Sequence, residues 1–188
     1  MTRPFLVPMI VAAAVLSACA ATPEKRLAVP QAPFAKKQAV PHDTIAVREV
    51  SLPGYAASED VYTTDAAGLL TRRHGLLWAD DPTRAVTLEL TRHLSRITGA
   101  RVAAEPWPFD GFPEAQVEVR IEEMLAGGDG TLRLSGQYFI AAGEGHERAR
   151  LFELGVPVDD DGNPASLAAA RGQALRDLAV MVVENGLR

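Results

Sequence analysis

Gln116-Val117-Glu118-Val119-Arg120-Ile121-Glu122-Glu123-Met124-Leu125 is the stretch on which the fold turns. Val117, Val119 and Ile121 alternate with Glu118, Arg120 and Glu122. A period of two sets one face of a strand against a core and the other toward water. Gly127-Gly128-Asp129-Gly130 follows and reads as a turn. Leu132, Leu134, Tyr138 and Ile140 resume the alternation on a returning strand, with Gly136 in phase. A second turn is expected at residues 143–145, and Phe152, Leu154 and Val156 mark a third strand. Glycine turns between amphipathic strands predict an antiparallel meander.

A helix is expected on either side of the meander. Upstream, Asp81 is placed to cap a helix whose first position is Pro82, where a missing N–H costs nothing. Val86, Leu90, Leu94 and Ile97 then recur at helical spacing and form an apolar stripe, with Glu89, Arg92, His93 and Arg96 on the remainder. Gly99 is the stop. Downstream, Asn163-Pro164 repeats the cap-then-proline start. Leu167, Ala170, Ala174, Leu178, Met181 and Val182 form the apolar face, and Asn185-Gly186 the end. Further strands are expected at residues 44–52, at 61–73 with a break at 65–68, and at 101–104. Leu76-Leu77-Trp78 is a short apolar run. The whole predicts an α+β fold: one antiparallel or mixed sheet with two amphipathic helices packed on one face.

The N-terminus has a different character. Arg3 precedes an uncharged apolar run over residues 5–16, then Leu16-Ser17-Ala18-Cys19. That is the layout of a secretory signal with a small-residue cleavage site. The run is shorter than the roughly 20 residues a membrane span needs. Leu-Ser-Ala-Cys also resembles a bacterial lipobox, which implies a diacylglycerol on the Cys19 thiol and cleavage before it. The other reading is an ordinary cysteine near a conventional cleavage site. Cys19 is the only cysteine, so no intramolecular disulfide is open to it. Ala20, rather than Asp, follows the cysteine, which by the enterobacterial sorting pattern implies the outer membrane. Residues 1–18 are thus expected as a signal peptide, 19–43 as a lipidated flexible tether, and 44–188 as the folded domain. Pro23, Pro30, Pro33 and Pro41 motivate the tether, since prolines at that density favour extended chain.

Composition removes some functions. The chain of 188 residues has a formal charge of −5, and removing Arg3 with the signal leaves 18 basic against 24 acidic residues, a charge of −6. Nucleic-acid binding, which rests on basic patches, is not expected. No catalytic, metal or cofactor site is expected either. His42, His74, His93 and His146 lack metal-ligand spacing. The calcium-like start Asp159, Asp161, Asn163 fails at Pro164 and at Ala170, where glycine and glutamate are needed. Glu122 and Glu123, adjacent on a strand, point to opposite faces. Tyr55, Trp78 and Trp107 lie beside turns, where aromatics anchor interfaces or plug the ends of a sheet.

With a lipobox and a proline-rich segment ahead of it, Ile45-Ala46-Val47-Arg48-Glu49-Val50-Ser51-Leu52-Pro53-Gly54-Tyr55, followed by Leu77-Trp78-Ala79-Asp80-Asp81-Pro82 and an amphipathic helix, resembles the auxiliary lipoproteins of ABC-type intermembrane transport systems, the PqiC/YmbA-like family. Members often carry a tyrosine-leucine strand soon after the lipid cysteine; here that region is rich in proline and lysine. The resemblance implies a non-enzymatic lipoprotein of the outer membrane, facing the periplasm. It implies docking of an MCE-domain protein that bridges the periplasm, a lipid cargo for the system, and a homo-oligomeric ring. Tyr55 and Trp78 are the expected partner contacts. The alternatives are a module that itself holds a lipid or another small apolar ligand, and a structural lipoprotein of the envelope.

Overall fold

In the structure, a computed structural model, residues 24–143, 146–160 and 162–188 are described. Their strands form one mixed, eight-stranded sheet. In chain order the elements are β1 (Lys25–Leu27), β2 (Thr44–Val47), β3 (Asp60–Thr64), β4 (Leu70–Trp78), α1 (Pro82–Thr98), β5 (Arg101–Ala104), β6 (Ala115–Ala126), β7 (Thr131–Ala142), β8 (His146–Pro157) and α2 (Pro164–Val182), followed by a π-helical turn, Val183–Leu187. The meander is present: β6 pairs antiparallel with β7 along its length, and β7 with β8. Both helices lie on one face, since α1 packs on α2 while α2 packs on β7 and β8.

The alternation in β6 is broken once. Val117, Val119 and Ile121 are buried, and then Met124 and Ala126 are buried, so the phase slips by one residue. A bulge between Ile121 and Glu123 produces the slip. Without it Glu123 would face the core, because one residue of register exchanges the two faces of a strand. Gly136 of β7 stands opposite Ile121. A Cβ there would come within 2.1 Å of the Arg120 carbonyl oxygen. The bulge therefore demands glycine at 136.

The other edge of β6 is shared. Parallel β2 takes its start, with Ile45 opposite Ala115, and parallel β3 meets its end, with Thr63 opposite Ala126. Beyond β2 the sheet continues to β5, and beyond β3 to β4 and β1. The helix starts form as their caps dictate. Asp81 Oδ1 accepts from Arg84 N at 2.8 Å, and Asn163 Oδ1 from Ala165 N at 3.0 Å. Each cap is worth about 1 kcal/mol. Gly99 closes α1 in the left-handed conformation, φ 73°. The last α-helix ends at Val182, before Asn185-Gly186, which lie in the π-helical turn. Gly186 lies so close to Tyr138 and Ile140 that a Cβ would sit 3.0–3.1 Å from them.

The structure differs from expectation along the expected tether. Residues 25–43 run against the domain. Lys25–Leu27 pairs with Leu76, Leu77 and Trp78 as a parallel edge strand, in the region that looked too proline-rich for one. Three residues between prolines suffice, because an edge strand needs only one of its sides to be bonded. Ala32 is buried, Phe34 meets the His93 ring edge-on at 5.9 Å, and Gln38 N donates to Ile97 O at 2.8 Å. We call residues 25–40 the strap.

Candidate functional site

Under the strap lies a cluster of buried charge. Arg171 follows Leu167 by four residues, which places it in the apolar stripe of α2, and it is only 2% exposed. Its guanidinium lies over the Trp78 ring, 4.4 Å from the centroid. From α1, Glu89 is buried near it, and buried His93 places its Nε2 3.9 Å from Glu89 Oε1, outside hydrogen-bond reach. Five buried side-chain polar atoms lack a partner among the described residues, and four are here: Arg171 Nε and Nη2, Glu89 Oε1 and His93 Nδ1. Burial pulls the Arg171 pKa down to about 10, with the Glu89 charge opposing. Charges are seldom sealed in this way without partners. A cavity of about 230 Å³ adjoins Arg171 and Glu89, with apolar walls at Leu27, Leu88 and Trp78 and polar ones at Gln31, Asp80 and Arg92.

Tyr55 and Trp78 are brought together. Both line a second, small cavity of about 20 Å³, with Arg171 also in its wall. Tyr55 has a structural task. The Leu52-Pro53-Gly54-Tyr55 turn delivers its hydroxyl to the gap on β6 between the β2 and β3 pairings, where it accepts from Met124 N at 3.3 Å. Burial, reinforced by the Glu123 charge, raises its pKa against that bond. Tyr55 is half-buried, whereas Trp78 is 8% exposed and spends its ring on Arg171. Trp78 is thus a wall of the site rather than a free contact. Trp107 pairs with Phe109 at 5.0 Å in the loop before β6, whose Phe112 is 97% exposed. Cys19 and the signal peptide lie outside the described residues.

The charged cluster was legible in part. Arg171 occupies a stripe position by spacing alone. The spacing of α1 places Glu89 and His93 on its wet side. They are buried because α2 and the strap together cover more of that helix than one stripe, and no periodicity within α1 reports a covering segment fifty residues upstream. Among the described residues no group of three or more His, Cys, Asp or Glu is placed to hold a metal, and no helix is long and apolar enough to cross a membrane.

Residues 26–183 match the model of the family described as ABC-type transport auxiliary lipoprotein component. The match begins within β1, so it takes in the strap as well as the sheet and both helices. Two solved structures share the fold. Protein XCC0632 from Xanthomonas campestris superposes with a TM-score of 0.70 at 18% identity, over 87% of this chain and 94% of its own. A second, described only as an uncharacterized protein, gives 0.68 at 19% identity, over 85% of this chain and 98% of its own. No curated protein matches the chain.

Proposed function

Starting from the chain's membership of the ABC-type transport auxiliary lipoprotein family, we propose that it is the outer-membrane-anchored, periplasmic component of an intermembrane lipid transport system and that it docks an MCE-domain protein spanning the periplasm. Its work is attachment rather than catalysis, and it assembles as a homo-oligomeric ring. The observation that carries this reading is the family match over residues 26–183, which covers both helices and all of the sheet but the first residue of β1. Leu16-Ser17-Ala18-Cys19 supplies the anchor. Each buried methylene contributes about 0.8 kcal/mol and one chain binds only marginally, so the two or three chains of a lipoprotein hold it without a spanning helix. With β1 starting at Lys25, the residues between the lipid and the domain can reach no further than about 20 Å, at ~3.1 Å per residue. The domain therefore works close to the membrane while the strap is seated.

Tyr55 is the proposed partner contact, with Phe112 and Leu151 as the most exposed apolar side chains for comparison. A photo-crosslinking amino acid at each of the three, in cells, tests docking. Adducts with an MCE-domain protein are expected. Lipid adducts alone, or no adduct from any of the three, contradict it. Palmitate labelling that survives Cys19→Ser would remove the anchor from the account. One observation favours a second reading, in which the domain itself holds a ligand: the cavity beside unpaired Arg171.

A further inference from the structure

We propose that the hairpin joining β3 to β4 is a membrane contact: its tip, Ala66-Ala67-Gly68-Leu69-Leu70, dips into the lipid surface beside the anchor. The contact rests on the Cys19 lipid proposed for the chain and adds where the folded domain meets the bilayer.

The tip suits an apolar surrounding. Its five uncharged residues lie between Asp65 and Thr71, and all five are exposed. Leu69 is 65% exposed and Leu70 46%. The obstacle to placing a turn in lipid is its backbone, because no water is there to bond it. Here three successive N–H groups are bonded within the turn. Asp65 Oδ1 accepts from Ala67 N and from Leu69 N, both at 2.9 Å, and Gly68 N donates to Asp65 O at 3.0 Å. The flanking charges are engaged: the Asp65 carboxylate holds the turn, and Arg72 Nη1 lies 3.3 Å from Asp60 Oδ1. The hairpin is also braced from the side. A Cβ on Gly128, in the turn between β6 and β7, would lie 3.0 Å from the Asp65 carbonyl.

The path of the chain turns this tip toward the membrane. β1 runs parallel to β4, with Lys25 opposite Leu76. The chain therefore enters β1 from the side on which β4 starts. Six residues lead from Cys19 to Lys25, and six from Leu70 to Leu76. Either stretch spans about 20 Å at most, at ~3.3 Å per residue. The lipid is thus tethered within reach of the end of the sheet that carries the tip. Phe112 is more exposed still, but it precedes the start of β6, whereas β3 meets β6 at its end, Thr63 opposite Ala126. About 35 Å of strand lies between the two ends of β6. A bilayer also suits both leucines. Successive side chains of an extended chain point to opposite sides, so a flat protein surface would cover one leucine and leave the other in water, while lipid surrounds the tip. With the tip immersed, Phe112 and the loop before β6 face away from the membrane.

The test is fluorescence of the full lipidated chain in phosphatidylcholine vesicles that carry doxyl-labelled lipid. Cys19 is the only cysteine. With its thiol acylated, a nitrobenzoxadiazole probe reacts only at an introduced one: Leu69→Cys, Leu70→Cys or, as the reference, Phe112→Cys. Doxyl lipid should quench the probe at 69 and at 70 several-fold more than at 112. Neutral vesicles should suffice, because the contact is apolar. Equal quenching at the three positions, or the strongest at 112, overturns the proposal. A probe at 69 that is shielded from aqueous iodide yet untouched by doxyl lipid also overturns it, and assigns the tip to a second copy or another protein. A chain that joins the vesicles with its tip unquenched overturns the hairpin contact alone. A chain that fails to join them overturns the anchor and the contact together.

Discussion

The meander and the strap are held to the rest of the molecule by different means. Between β6–β8 and α2 the contacts are apolar and closed: Leu134, Leu175 and Leu178 are fully buried, and each such side chain contributes about 1.5–3 kcal/mol. Between the strap and the rest of the domain the contacts are mixed and few. They are a three-residue edge strand on β4, buried Ala32 with the partly buried Leu27, Val29, Ala35 and Val40, and an arginine–phenylalanine–histidine stack at Arg96, Phe34 and His93. Among the described residues, the backbone of 28–37 makes no hydrogen bond to another backbone group. A core of the first kind comes apart only with the whole domain. A joint of the second kind can open while the domain stays folded.

The comparison can be broken most forcefully in the meander. Gly136→Ala puts a methyl 2.1 Å from the Arg120 carbonyl, a backbone clash that neither strand can relieve without losing the bulge. A loss of about 3 kcal/mol or more in urea unfolding is expected. Leu134→Ala, in the same strand, should cost about 2–5 kcal/mol, and both variants should unfold in one transition. A strap variant should behave otherwise. A Cβ on Gly172 would lie 2.9 Å from Pro30 O. Gly172→Ala should therefore lift the strap and speed tryptic cleavage at Lys36 and Lys37 several-fold, while the unfolding midpoint moves by no more than about 1 kcal/mol.

The sequence disclosed the apolar half of the molecule and hid the polar half, for one physical reason. Val117-x-Val119-x-Ile121 and Val86, Leu90, Leu94 carry their burial in their own spacing, so the meander and α1 could be placed by counting. The β6 bulge escaped, although Glu122-Glu123 already breaks the alternation, because only Gly136 set opposite Ile121 shows how the strand absorbs the extra residue. The strap escaped more fully. Its pairing with Leu76–Trp78 is made across some fifty residues, and its prolines suggest solvent. Tyr55 was singled out as an interface aromatic, yet its bond to Met124 N depends on how β2 and β3 divide the edge of β6, which no local pattern records.

Two smaller effects sharpen the contrast. Tyr55→Phe leaves Met124 N without its acceptor and should cost about 1 kcal/mol by the same unfolding assay. On the outer face, Glu118 is held below the ordinary carboxylate value by its bond to Arg120, against some burial, with Arg48 adding to the hold. As pH falls the unfolded chain takes up the proton first. The contribution of Glu118 is thus complete above about pH 5 and is lost below it. Between pH 7 and pH 4 the wild type should lose about 0.5 kcal/mol more stability than Glu118→Gln, the scale of an exposed ion pair.

Hydrogen exchange on the full lipidated chain addresses the central claim, that a closed body carries a strap clasped by few contacts. Amides of residues 28–37 should exchange through local opening, orders of magnitude faster than those of 132–140 in β7, which should exchange only with global unfolding. Equal protection of the two segments, at the free energy of global unfolding, would contradict the account and make the strap part of the core.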